Sequence, residues 1–277
     1  MNISSLTLTI KKKKLLDIFI IANFFFLTFD IIYAHSINRF EHWGEWIPLI
    51  LCVFATIILG INFFLERRFK SYITIFFGSV SLFVGVYGAV FHLDSQFFQA
   101  QSIKSLIYTA PFVAPLSFSA LGLLLFLNLM VSSMGRDWGR WIIWFSYLGF
   151  LGNYILSLCD HEQNGFYYVS EWIPVVSSSL VIGFIPYFIS PNRSNFIYKS
   201  CYILVATQFI VGFMGAIIHL QSILRYSNVH ETFIEKIRYG APIMAPLLFC
   251  NLALLMFIGM RAYESDDKYV YFDLNRK

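Results

Sequence analysis

One four-residue word occurs twice in this chain, as Glu45-Trp46-Ile47-Pro48 and as Glu171-Trp172-Ile173-Pro174, and the sequence around it repeats in order. His35, Asn38 and Phe40 precede the first copy as His161, Asn164 and Phe166 precede the second. Downstream, Val84-Gly85-x-x-Gly88-Ala89-x-x-His92-Leu93 returns as Val211-Gly212-x-x-Gly215-Ala216-x-x-His219-Leu220. Tyr108-x-Ala110-Pro111-x-x-Ala114-Pro115-Leu116 returns as Tyr239-x-Ala241-Pro242-x-x-Ala245-Pro246-Leu247. A repeat on this scale constrains the architecture more than any single segment, because both halves must adopt one supersecondary plan. The expected organisation is an internal duplication, 1–134 and 135–262, followed by a polar tail at 263–277.

The repeated unit is a set of membrane spans. Only 13% of the residues are charged and 58% are hydrophobic, where a soluble domain carries about a quarter charged. Apolar runs of about 20 residues recur, the length that crosses a hydrocarbon core of about 30 Å. They predict helices at 15–34, 47–65, 72–92, 107–131, 141–159, 173–190, 200–219 and 241–260. The expected fold is therefore all-α, a polytopic membrane helix bundle of eight transmembrane helices in two parallel four-helix repeats. The basic run Lys11–Lys14 before the first span has the look of a signal peptide, but that apolar stretch is too long for a signal core and has a counterpart at Trp141–Asp160.

Charge sets the expected orientation. With the N-terminus inside, fifteen of the 20 lysines and arginines fall on inner segments, and Arg39, Lys104, Arg225, Lys236 and Arg238 on outer ones. Both termini are then cytoplasmic. An even number of spans per repeat makes the halves parallel, related by an axis along the membrane normal. The net charge of +4 is spread between the spans, which argues for the lipid bilayer, with other membrane subunits as further partners, and against nucleic acid. The four cysteines form no C-x-x-C pair, so neither a redox nor a zinc motif is present in them.

On this topology the matched polar residues gather on the outer side. His35 ends span 1, Glu45 opens span 2, His92 ends span 3, and Tyr108 with Pro111 and Pro115 opens span 4; His161, Glu171, His219, Tyr239, Pro242 and Pro246 do the same in the second half. Gly85 and Gly88 share a helical face with His92, as Gly212 and Gly215 do with His219. Small residues on that face admit a neighbouring helix, so these histidines are expected to point into the bundle. His42 and His230 lack a partner histidine and read as surface residues.

Two histidines and a carboxylate per repeat make a ligand set for zinc, iron or copper. The candidate ligands are His35, Glu45, His92, His161, Glu171 and His219, with Tyr108 and Tyr239 as outer donors. Haem is the second option, held by His35 with His92 and by His161 with His219. The activity expected of such a site is redox or metal-assisted chemistry on a lipid-soluble substrate. The alternatives are a transporter or channel for a small solute or metal ion, and a non-catalytic subunit of a membrane complex. A structural reading stands beside these: Glu-Trp-Ile-Pro also makes a good interfacial helix start. Neither proline of a pair supplies an N–H, so Pro115 strands the carbonyl of Pro111, and Pro246 that of Pro242. The outcome is either a kink satisfied by neighbours or a break that lines a pocket.

Overall fold

The computed structural model describes residues 3–65, 70–130, 136–225 and 232–265. Among these every regular element is helical. In order they are α1 (Ile3–Ser36), α2 (Trp46–Leu65), α3 (Lys70–Asp94), α4 (Phe97–Ala100), α5 (Ile103–Tyr108), α6 (Leu116–Met130), α7 (Arg136–Gln163), α8 (Trp172–Phe188), α9 (Asn195–Arg225), α10 (Phe233–Tyr239) and α11 (Met244–Ser265). Short 3-10 turns, Trp43–Glu45 and Val169–Glu171, lead into α2 and α8. His230, Arg67, Arg68 and the tail beyond Ser265 lie outside the described residues.

Seven of these helices are long and apolar enough to cross a membrane. Their outward faces are as apolar as their cores: Phe25, Phe54, Ile57, Phe83 and Val86 are all more than half exposed. A helix that is hydrophobic all round is a membrane span rather than a surface helix of a soluble domain, so this is an integral membrane protein made of a helix bundle in contact with lipid.

The sequence expectation of one continuous helix over 107–131 does not hold. α5 ends at Tyr108 and α6 begins at Leu116, with an irregular segment between them. The physical cause lies in Ala110-Pro111 and Ala114-Pro115, since a proline disfavours the α conformation at the residue before it and removes a donor. α6 contributes a 14-residue apolar stretch, Leu116–Leu129, about 21 Å long at 1.5 Å per residue. The second copy behaves similarly. α11 starts at Met244, after Pro242, and accommodates Pro246 in its first turn, where a missing N–H costs nothing.

The chain forms two compact units, and each draws on both sequence halves. Unit 1 takes Met1–Val86, Phe118–Ser132 and Ile217–Met244; unit 2 takes Tyr87–Ser117, Ser133–Ala216 and Ala245–Lys277. In unit 1, α1 packs on α2, and its stripe Leu16, Ile20, Phe24 and Ile31 is buried. α6 approaches α3 closely, since a Cβ on Gly122 would lie 2.6 Å from the Gly78 carbonyl oxygen. In unit 2, α7 packs on α8, and the core joins Ile143, Phe150, Val181, Ile185, Phe188, Cys201, Leu252, Met256 and Tyr263. One end of that core is closed by arginine: Arg193 lies over the Phe188 ring at 4.6 Å, and Arg136 donates to the Tyr263 hydroxyl at 2.7 Å.

The crossing between halves is local and specific. α10, from the second half, packs on α1, and the Tyr33 hydroxyl donates to the Gly240 carbonyl at 3.4 Å. α5, from the first half, packs on α7, and Gln163 Nε2 donates to the Ile107 carbonyl at 2.8 Å. Both short helices begin with a capping box, Ser102 with Ser105 and Thr232 with Glu235, which satisfies the first N–H groups of helices too short to persist alone.

Candidate functional site

The His/Glu pairs sit on two turns of the same construction. At the end of α1 the Phe40 N–H donates to the His35 carbonyl at 3.2 Å and the Arg39 N–H to the Ser36 carbonyl at 3.2 Å. At the end of α7 the Phe166 N–H donates to the His161 carbonyl at 3.0 Å and the Gly165 N–H to the Glu162 carbonyl at 2.8 Å. Both are Schellman terminations, which need a left-handed residue just past the helix. Gly165 supplies it at φ 65° and Arg39 at φ 61°, and the following Phe40 and Phe166 are left-handed as well. The apolar contact that accompanies this motif is made here by the histidine ring. His35 stacks obliquely on Phe40 at 5.8 Å and His161 on Phe166 at 6.0 Å. Phe40 continues onto Trp46 at 4.7 Å, and Phe166 onto Trp172 at 4.0 Å.

That ladder of rings brings the glutamate of Glu-Trp-Ile-Pro back to the histidine. His35 Nδ1 lies 3.8 Å from Glu45 Oε1, and His161 Nδ1 lies 4.0 Å from Glu171 Oε2. Both approaches exceed hydrogen-bond length and become ion pairs only when the imidazole is protonated. The carboxylates are 11% and 13% exposed, so water reaches them poorly. Asn38 Nδ2 donates to Glu45 Oε1. The remaining oxygen Glu45 Oε2, and Glu171 Oε2 in the other copy, are buried and meet no hydrogen-bond donor among the described residues.

The second pair of histidines answers the proline question. His92 Nδ1 is 3.0 Å from the Pro111 carbonyl oxygen, and His219 Nδ1 is 2.8 Å from that of Pro242. A carbonyl only accepts, so Nδ1 carries a proton in each case. The Pro242 carbonyl is thus capped by His219, whereas His92 shares the Pro111 carbonyl with the Ala114 N–H at 3.1 Å. The glycines permit this approach. A Cβ on Gly88 would lie 2.9 Å from Pro115 Cβ, and one on Gly215 would lie 2.9 Å from Pro246 Cβ. A Cβ on Gly212 would meet the Pro246 carbonyl at 2.7 Å. Gly85 is buried on the same face. At the end of α3 the Ser95 and Thr109 hydroxyls both donate to the His92 carbonyl, at 2.7 and 2.6 Å.

The units group these residues in a way the sequence register does not show. His35, Glu45 and His219 belong to unit 1, whereas His161, Glu171 and His92 belong to unit 2. In each unit a His/Glu turn from one half thus shares a unit with a capped histidine from the other. Among the described residues no three His, Cys, Asp or Glu side chains converge tightly enough to form a ready metal cage. Tyr108 and Tyr239 stand at the ends of α5 and α10, 48% and 63% exposed. His42 is exposed, as expected of a surface residue.

Sequence reasoning did not single out Asp17, Asn62, Thr74 and Asn128, which meet in unit 1. The signal was present: each is a polar residue within a predicted span, and the matching positions of the second half are Ile143, Phe188, Cys201 and Gly259. No family model, no curated protein and no solved structure matches this chain.

Proposed function

We propose that this protein is a duplicated, eight-crossing membrane protein that binds a transition-metal ion at each of two His/Glu turns on the outer side of the bilayer. In this reading α6 completes the eighth crossing together with the segment 109–115, and both termini face the cytoplasm. The duplication is supported by the turn geometry: the Schellman terminations, the histidine–phenylalanine–tryptophan ladders and the histidine-capped proline carbonyls recur at matched positions.

The observation that carries the metal reading is the pair of buried, donorless carboxylate oxygens, Glu45 Oε2 and Glu171 Oε2, on carboxylates that approach an imidazole through Glu45 Oε1 at 3.8 Å and Glu171 Oε2 at 4.0 Å. Burying a carboxylate oxygen without a partner is expensive, and a cation shared with the imidazole removes that cost. Imidazole plus carboxylate suits zinc, iron or copper. His219 and His92 fit as further ligands, because an Nδ1–H held by a backbone carbonyl is the usual support of a histidine that binds metal through Nε2. Two or three protein ligands per site leave the remaining positions to solvent or to a small molecule. That arrangement favours exchangeable binding, as in transport or in metal-assisted chemistry on a substrate, over a permanently caged structural ion. Haem held by histidine pairs is the competing reading.

The test is metal content by mass spectrometry, with a visible spectrum, on protein purified in detergent without chelator, beside His92→Ala and His219→Ala. Bound transition metal without a Soret band, reduced in both variants, supports the proposal. A Soret band replaces metal by haem, and the absence of both metal and metal uptake overturns it.

A further inference from the structure

The other end of unit 1 holds a second polar cluster, about 27 Å along α1 from His35 at 1.5 Å per residue. Each of the four long helices of the unit contributes one side chain: Asp17 from α1, Asn62 from α2, Thr74 from α3 and Asn128 from α6. Asp17, Asn62 and Thr74 line a cavity of about 20 Å³ together with Ile20, Leu59 and Leu125. Asn62 is 3% exposed and Thr74 8%. Asn128, 9% exposed, donates from Nδ2 to Asp17 Oδ1 at 2.6 Å and to the Lys13 carbonyl at 3.3 Å. Both of those partners are acceptors, so the amide orientation is fixed and Asn128 Oδ1 is its other end. Asn62 Oδ1 is buried on the cavity wall with no hydrogen-bond donor, and Asn128 Oδ1 is buried without a donor as well.

We infer that this cluster is a binding site for a dehydrated monovalent cation of the Na+ class, separate from the outer His/Glu turns. Asp17, Asn62 and Thr74 supply the oxygens, and Asn128 orients the Asp17 carboxylate. The candidate ligands on this mostly apolar wall are a carboxylate, an amide oxygen and a hydroxyl, a set that favours a hard cation over a transition metal. One carboxylate with neutral oxygens balances a single positive charge. The volume is that of about one water molecule, enough for a single bare ion. An ionisable residue inside a membrane bundle needs a partner. Lys13 and Lys14 stand one turn before Asp17 and compete with the ion for its charge.

The second half shows that the fold does not require these oxygens. In the register set by His35/His161, Gly85/Gly212 and Pro115/Pro246, the matching positions are Ile143, Phe188, Cys201 and Gly259. Ile143, Phe188 and Cys201 are fully buried members of an apolar core. One copy therefore fills this depth with hydrocarbon, and the other keeps a carboxylate, two amides and a hydroxyl there.

The experiment uses the full chain in detergent, with radioactive Na+ as the binding probe and thermal unfolding in NaCl against N-methylglucamine chloride at equal ionic strength. The expected result is saturable Na+ binding, one ion per chain, with a saturating rise in Tm that N-methylglucamine does not give. Asn62→Leu and Thr74→Val should each weaken binding about tenfold or more, the effect of losing one charge-assisted contact. Glu45→Gln should leave Na+ binding unchanged, which separates this site from the outer one. Absence of saturable binding by folded wild-type protein overturns the inference. So does Na+ binding of equal strength in Asn62→Leu. An Asn62→Leu variant more stable than a wild type that ignores Na+ identifies the cavity as a structural water site and also overturns it.

Discussion

Replacing His219 by phenylalanine tests the capped proline carbonyl directly. Pro246 offers no N–H to the carbonyl of Pro242, and the His219 Nδ1–H fills that place at 2.8 Å. Phenylalanine keeps a ring of similar size, so the change removes mainly the donor. A lost hydrogen bond is worth about 0.5–1.5 kcal/mol and a stranded buried acceptor about 1–3 kcal/mol. His219 is only half-buried, so the lower part of that range applies, about 1–2 kcal/mol. His92→Phe should cost less, about 0.5–1 kcal/mol, because the Pro111 carbonyl also accepts from the Ala114 N–H at 3.1 Å. The decisive variant is Pro246→Ala. It restores an N–H four residues after Pro242 and keeps the Cβ that Gly215 faces. In the His219→Phe background it should recover about 1 kcal/mol more than it contributes alone, a positive coupling in a double-mutant cycle. The assay is equilibrium unfolding in mixed micelles followed by tryptophan fluorescence. A cycle that closes additively, or a His92→Phe loss equal to that of His219→Phe, would refute the reasoning.

Three further expectations follow from local geometry. Arg39→Gly should stabilise the protein by about 1 kcal/mol, read as a raised unfolding midpoint, because Arg39 holds a left-handed conformation at φ 61° where the second turn already uses Gly165. Gly212→Ala should destabilise by about 1–3 kcal/mol through collision with the Pro246 carbonyl and the Cys250 backbone; Gly183→Ala, with nothing within 4 Å, should instead gain about 0.8–1 kcal/mol of helix propensity. The Thr232 N–H and hydroxyl donate to Glu235 at 2.8 and 2.9 Å and hold its carboxyl below the ordinary glutamate value. A lowered folded value means the cap is complete above the unfolded pKa and is lost as pH falls through the lowered one. Amide-exchange protection of α10 should therefore drop on acidification in wild type and show no such titration in Glu235→Gln.

The seven long apolar helices and the His/Glu turns were legible because both are local. Period and length mark a helix such as 72–92, and the spacing from His35 to Glu45 repeats in His161 to Glu171. The destination of α5 and α10 was not legible. Nothing in Ile103–Tyr108 says that it packs on α7, since that choice depends on Gln163 reaching the Ile107 carbonyl, a contact 56 residues apart in the chain. Register therefore assigned His92 to the company of His35, whereas the units place it with His161 and Glu171. The proline pairs announced a stranded carbonyl, yet not that α6 would start only at Leu116 or that His92 would be the cap. Asp17 and Asn62 carry no such mark in the sequence, because they do not recur in the second half.

The most direct test of the metal-site account is a Co2+ titration of detergent-purified protein, read from the visible ligand-field absorption. The account predicts two Co2+ per chain in wild type, one in either Glu45→Gln or Glu171→Gln, and none in the double variant. Equal Co2+ uptake by wild type and by a folded double variant would contradict it, as would no uptake by folded wild-type protein.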